Sequence, residues 1–311
     1  MLVAAPCVCG SFALNGLLRY QGQSAFGMIG LVSGALLNFL LAPLLIFVAG
    51  LGIFGAGLAT AIGTVISILV MSSHFFLKKN TLRLVRPTHF FGKLREISVT
   101  GFSTFFIDIA MGILTILFNR QIMAYLGTNA LSVYGVIVNI STFVQCCAYS
   151  VGQASQPILS TNFGAGKGQR IRQTLRYALG TTTFFGLFWT VLCLAVPNCF
   201  IHLFMAPTPQ VLEIAPMIIR CYSLSFLLLP LNIFSTYYFQ SVMKPKTAFA
   251  VSILRGLIIS GILILLLPVV SGANSIWFAM PLTEFAVAIY VVCMIARYTK
   301  QLSAERKATD E

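Results

Sequence analysis

The sequence predicts an all-α integral membrane protein, and three observations carry the prediction. Of its 311 residues 58% are hydrophobic and 9% charged, against roughly 25% charged in an average soluble domain. Mean hydropathy is +0.92. The apolar residues gather into successive segments, each close to the roughly 20 residues that cross a bilayer. About eight full spans and a short opening helix are expected.

The first segment, residues 2–18, is short for a span and runs into Leu17-Leu18-Arg19-Tyr20-Gln21-Gly22. Met1 leads straight into apolar sequence with no basic stretch before it, which is not the pattern of a signal peptide. The second span, 25–48, is interrupted by Asn38 and Pro43. The third, 54–76, carries Gly55, Gly57 and Ala59, small residues that let helices approach closely. Residues 78–96 are the one extended polar stretch, with Pro87 and six basic residues, and read as a linker between two helix bundles.

The fourth span, 97–120, is centred on Asp108. At about 100° per residue, Gly101, Thr104, Asp108, Gly112, Thr115 and Asn119 fall on one narrow stripe. A carboxylate facing hydrocarbon is expensive, so an ionisable residue on such a stripe points to a functional site. Packing against a neighbouring helix is the alternative. A turn at Leu126-Gly127-Thr128-Asn129 leads to a long helix, 130–160, with a second stripe of Tyr134, Ser141, Gln145, Tyr149, Gly152 and Gln156. Further spans are expected at 175–196, 211–243, 247–270 and 276–298.

The formal charge of +13 lies between the spans, at Lys78 to Arg95, Lys167 to Arg176, Lys244 with Lys246, and Arg297 to Lys307. Loops 196–211 and 271–274 hold no Lys or Arg. This alternation is the positive-inside pattern, so the charge reports topology with a cytoplasmic C-terminus, not a nucleic-acid partner. Arg120, Arg220 and Arg255 depart from it; Arg120 is expected to snorkel outward and Arg255 inward. None of the eight cysteines has zinc-ligand spacing with a histidine, and they read as small packing residues. The stretch Asn162-Phe163-Gly164-Ala165-Gly166-Lys167-Gly168 is not a phosphate loop, because Gly168 stands where Ser or Thr must follow the lysine.

A weak internal repeat is visible. Leu18 to Phe26 leads into a span and then Gly52-Ile53-Phe54-Gly55; Tyr238 to Phe249 does the same ahead of Gly272-Ala273-Asn274-Ser275. Both copies start from the basic side, which makes the repeat parallel, and duplicated halves are a transporter signature.

Four stretches resemble one family. Leu17-Leu18-Arg19-Tyr20-Gln21-Gly22 is similar to the turn after the fourth helix of the multidrug and toxic compound extrusion (MATE) family, and Gly52 to Thr60 is similar to the start of its sixth. Gly152-Gln153-Ala154-Ser155-Gln156-Pro157 through Ala165 resembles the end of its eighth helix, the most specific of the four, and Ile276 to Glu284 resembles the start of its twelfth. The resemblance implies a plasma-membrane antiporter of two six-helix lobes around a central cavity. It would export small organic cations against protons or sodium, with no cofactor beyond the coupling ion. On this resemblance the chain opens within the fourth helix. Residues 1–77 would be a partial first lobe, 78–96 a cytoplasmic linker, 97–300 the second lobe and 301–311 a cytoplasmic tail. A partner of unknown identity, or further chain, would supply the first three helices. Two positions depart from the family pattern: Ala42 follows Asn38-Phe39-Leu40-Leu41 where Asp is common, and Met243 stands where Gly is common.

The family's seventh helix often carries an acidic residue at about the position of Asp108, which is therefore expected as the coupling or substrate carboxylate. Thr115, Asn119, Tyr134, Gln145, Tyr149 and Gln156 would supply hydrogen bonds, and aromatic faces would suit organic cations. Interhelical hydrogen bonding is the alternative for the Gln and Tyr residues. Glu284 matches an acidic position of the twelfth-helix motif and reads equally well as a structural carboxylate. The rival functions are a lipid-linked oligosaccharide flippase, which Arg220 and Arg255 leave open, and a non-transporting truncated product. An intramembrane enzyme is not expected, since no His-Glu-x-x-His, Gly-x-Ser-x-Gly or paired membrane aspartates occur.

Overall fold

A computed structural model describes residues 5–76 and 88–310, with the side chains of 100, 103, 104, 107, 108 and 300–310 outside the description. Every regular element among the described residues is a helix. Seven stretches among them are long and apolar enough to cross a membrane. They fall into two units, Met1–Thr88 and His89–Glu311. Residues 77–87, most of the expected linker, lie outside the described residues, and its last seven residues are already helical, since a helix begins at Phe90.

The first unit holds α1 (Ala5–Tyr20), α2 (Ser24–Pro43) and α3 (Gly52–Ser72). Pro43 has no N–H to continue the α-helical ladder, and the chain widens there into a π turn, Leu44–Val48, closed by Ala49 N–H to Leu44 O at 2.9 Å. α2 and α3 meet along small residues: Gly27, Gly30 and Gly34 are the buried positions of α2, and Gly55, Ala59, Gly63 and Ser67 run down the buried face of α3. A Cβ at Gly63 would lie 2.6 Å from the Gly34 carbonyl oxygen, so the backbones touch. Without a hydrophobic force between helices in lipid, such backbone contact supplies the packing. Gly57, expected in this contact, faces open space, because it lies two residues off the stripe of Gly55 and Ala59. Asn38 Nδ2 donates to Thr60 Oγ1 at 3.1 Å and adds a polar tie.

In the second unit α4 is assigned from Phe90 to Gly164, but Gly127 inside it is non-helical (φ 78°, ψ −171°). Only glycine takes these angles at little cost, so α4 is two arms, 90–126 and 128–164, joined at the turn that the sequence predicts. Then come α5 (Gly168–Ala195), α6 (Pro197–Phe204), α7 (Pro209–Ser223), α8 (Leu229–Ser241), α9 (Pro245–Ile253), α10 (Ile259–Ser271) and α11 (Ala279–Asp310). α7 and α8 join through a 3-10 turn into one span, and α9 and α10 through a π turn, Leu254–Ile258, into another. Dividing α4 at Gly127 raises the count to eight spans, with α1 as the short opening helix. Phe118, Ile137, Ile219 and Trp277 centre one core cluster, and Leu159, Phe234, Phe239 and Val291 centre a second.

Three helices end in the same backbone hydrogen-bond pattern, a common helix C-cap. After α1, Gln21, Gly22 and Gln23 donate to the carbonyls of Leu17, Arg19 and Leu18. After α8, Val242, Met243 and Lys244 donate to Tyr238, Gln240 and Phe239 in the same offsets. The chain after α4 repeats them once more, with Ala165, Gly166 and Lys167 donating to Thr161, Phe163 and Asn162. The middle residue is left-handed each time: Gly22 at φ 77°, Gly166 at φ 67° and Met243 at φ 55°. Met243 thus bears a conformation that glycine bears more easily.

Candidate functional site

The central polar feature of the second unit is carried by α8, the π turn after α9, and α11. Arg255 Nε lies 2.7 Å from Glu284 Oε1. Asn232 Nδ2 donates to Glu284 Oε2 at 2.7 Å and to the Glu284 carbonyl at 2.9 Å. Asn232 and Glu284 are fully buried and Arg255 is 8% exposed. Arg255 and Glu284 each sit ten or eleven residues into their spans, roughly 15 Å along the axis, or half the roughly 30 Å hydrocarbon core. The inward snorkelling expected of Arg255 does not occur, because no arginine side chain bridges that distance. Its charge is met instead by a carboxylate at the same depth.

Two tyrosines lie near this pair. Tyr149 and Tyr222 lie close enough to Arg255 to interact with its charge. Tyr222 meets Tyr134 edge-on at a centroid distance of 6.3 Å, and Tyr134 stacks on Phe118 at 4.9 Å with the rings 7° from parallel. Tyr149 meets Tyr237 edge-on at 6.3 Å, where Gly152 makes room for the Tyr237 ring. The Asn232 Oδ1 atom has no hydrogen-bond partner among the described residues.

The residues expected at the site separate into two groups. Tyr149, half-buried, is one of the two tyrosines near Arg255, and Tyr134, buried, reaches it only through Tyr222. Gln145 and Gln156 are half-buried on the same arm of α4. Thr115 and Asn119 are exposed with Gly112, while Ala110, Leu114, Phe118 and Ile122 form the buried face of that arm. The Thr115 hydroxyl donates to its own helix at Met111 O, 2.8 Å away. The side chain of Asp108 lies outside the described residues, as does that of Thr104. The backbone near Asp108 runs beside the π turn: a Cβ at Gly256 would lie 3.0 Å from the Ala110 Cβ.

The sequence pattern points to Glu284 and Arg255 separately, without pairing them, and gives no sign of Asn232 or Tyr222 beside them. One signal was available: Arg255 and Glu284 stand at equal depth in spans that start from opposite sides of the membrane.

The chain is 24% identical over 314 residues to the multidrug export protein MepA of Staphylococcus haemolyticus, covering 99% of this chain and 68% of that protein. It is 26% identical over 283 residues to MepA of Staphylococcus aureus, covering 89% of this chain and 61% of that one. The chain therefore spans about two thirds of the length of these relatives. A crystal structure of MATE in the bent conformation superposes with a TM-score of 0.87 at 19% identity, over 98% of this chain and 68% of that one. The family model MatE matches residues 104–265. That match takes in both arms of α4 from Thr104, continues through Arg255 and covers more than half of the sequence: the chain belongs to the MatE family.

Proposed function

We propose that the chain forms the membrane-embedded part of an antiporter that exports small organic cations across the plasma membrane in exchange for protons or sodium. The observation that carries this reading is the exposed polar stripe of Gly112, Thr115 and Asn119, set opposite a buried apolar face on one helix. The Thr115 hydroxyl is met within its own helix, but the Asn119 amide on that outer surface needs water or a polar partner, and a wet transport route supplies both. Asp108 belongs to this stripe by helical spacing and is the coupling carboxylate. It holds a proton or sodium ion in one state and the substrate cation in the other, so competition for one group links opposite fluxes. Gln145, Tyr149 and Gln156, half-buried on the second arm of α4, orient the substrate, while Tyr134, buried against Phe118, holds the two arms together. Glu284 is a structural carboxylate, because both its oxygens are committed to Arg255 and Asn232. Membership of the MatE family and the multidrug export relatives support the same reading. In this reading the C-terminus is cytoplasmic, as the positive-inside rule would have it for these basic loops.

The flippase alternative needs arginines available to a pyrophosphate. Arg255 is neutralised by Glu284, which removes one of the two; Arg220 Nε donates to Leu194 O at 3.2 Å but keeps its charge, so that alternative rests on Arg220 alone.

The test is export of ethidium from vesicles of cells expressing the chain, driven by an imposed proton or sodium gradient, for wild type and Asp108→Asn. The variant is expected to reach the membrane at the wild-type level and to lose gradient-driven export. Undiminished export by Asp108→Asn would overturn the role of this carboxylate.

A further inference from the structure

A groove of about 450 Å³ runs along the outer surface of the second unit between the second arm of α4 and α5. Ala154, Ser155 and Ile158 line it on one side, and Thr174, Ala178 and Thr181 on the other. Its serine and threonine hydroxyls are already spent, and the Tyr177 phenol is the remaining one. Ser150, Ser155, Thr174 and Thr181 each donate to a carbonyl of their own helix, at 2.8 to 2.9 Å. A polar ligand would find few free donors there, whereas a hydrocarbon chain asks for none.

The depth of the groove and the charge beyond its end select the occupant. Thr174 lies six residues into α5 and Thr181 thirteen, which puts the groove roughly 9 to 20 Å below the connecting loop at 1.5 Å per residue. That band runs from within the nearer leaflet to just past the midplane of a hydrocarbon core about 30 Å thick. Arg170, four residues before Thr174 on the same face of α5, and Lys167 stand at the level of the headgroups. Arg170 is exposed, and its guanidinium has no ion pair or hydrogen bond among the described residues. Arg172 differs, since its Nη2 donates to the Thr299 carbonyl at 3.2 Å.

We propose that this groove seats one acyl chain of an anionic phospholipid whose phosphate rests on Arg170 and Lys167. The apolar length fixes the tail, and the two cations at its mouth select the headgroup charge. The site is independent of the transport reading, since it lies on the outer face of α4 and α5 and uses none of the residues assigned to the route.

Native mass spectrometry of the detergent-purified chain, titrated with phosphatidylglycerol or phosphatidylcholine of equal chain length, tests the proposal. Wild type should retain one phosphatidylglycerol with a preference of roughly tenfold, the scale of one to two basic residues at a membrane surface. Arg170→Gln should lose most of that preference. Arg176→Gln removes the same charge from a face of α5 turned away from the groove and should keep it. Ala154→Phe, which fills the groove, should weaken binding of both lipids. Equal retention of the two lipids by wild type, or equal loss in Arg176→Gln and Arg170→Gln, would overturn the proposal; so would unchanged binding in a folded Ala154→Phe. Arg170→Gln is a surface change and decides the matter if Ala154→Phe does not fold.

Discussion

Arg255 and Glu284 form a buried ion pair, 2.7 Å from Nε to Oε1, on two spans that start from opposite sides of the membrane. Taking two charges out of water is costly, and their attraction repays this only when the remaining polar atoms are also satisfied. Asn232 does that for the second carboxylate oxygen. The three residues tie α8, the turn after α9, and α11 together near mid-depth.

Removing one partner leaves the other charge buried and alone. Glu284→Leu and Arg255→Met should each destabilise the purified protein by about 3–5 kcal/mol. Arg255→Met combined with Glu284→Leu should recover much of that loss. Thermal unfolding in detergent reads the cycle, and a double variant as unstable as the two single losses added would show that the charges are not coupled.

Asn232 is bound through its amide nitrogen only, which ranks its replacements. Asn232→Ala loses both bonds to Glu284 and should cost about 1–3 kcal/mol. Asn232→Asp sets a second carboxylate against Glu284 and should be worse than alanine. The yield of monodisperse protein on size exclusion gives the order; an aspartate variant as well behaved as wild type contradicts it.

Met243 holds a left-handed conformation that Gly22 and Gly166 hold in the two matching turns. It is 60% exposed, so little packing is lost with its side chain. Met243→Gly should therefore raise stability by roughly 1 kcal/mol, seen as a higher unfolding midpoint. A lower midpoint would mean that the side chain contributes more than the backbone strain costs.

Much of this architecture is legible in the sequence because lipid imposes simple rules. A span must be apolar and about 20 residues long, and the charged loops set its direction. Gly127 was readable as a turn because glycine alone enters that conformation easily. The π turns after Pro43 and around Arg255 were not readable, since they depend on how a helix accommodates its neighbours. The Arg255–Glu284 pairing was hidden for another reason: a single span shows depth but not which helix lies beside it. The same gap explains Gly57, a small residue that looks like its neighbours Gly55 and Ala59 until the contact face is known. The stripes were visible as periodicity, but only the fold shows that Thr115 and Asn119 are exposed while Tyr134 is buried.

The central claim is that the exposed stripe of the first arm of α4 faces a wet route taken by organic cations. Thiol labelling tests it most directly, in a chain whose native cysteines are replaced. Asn119→Cys on the stripe and Ile113→Cys on the exposed apolar side of the same arm would be treated with a membrane-impermeant reagent, with and without tetraphenylphosphonium. The account predicts that Asn119→Cys reacts, that the cation slows the reaction, and that Ile113→Cys stays unmodified. An Asn119→Cys as inert as Ile113→Cys, or one labelled at the same rate with the cation present, would contradict it.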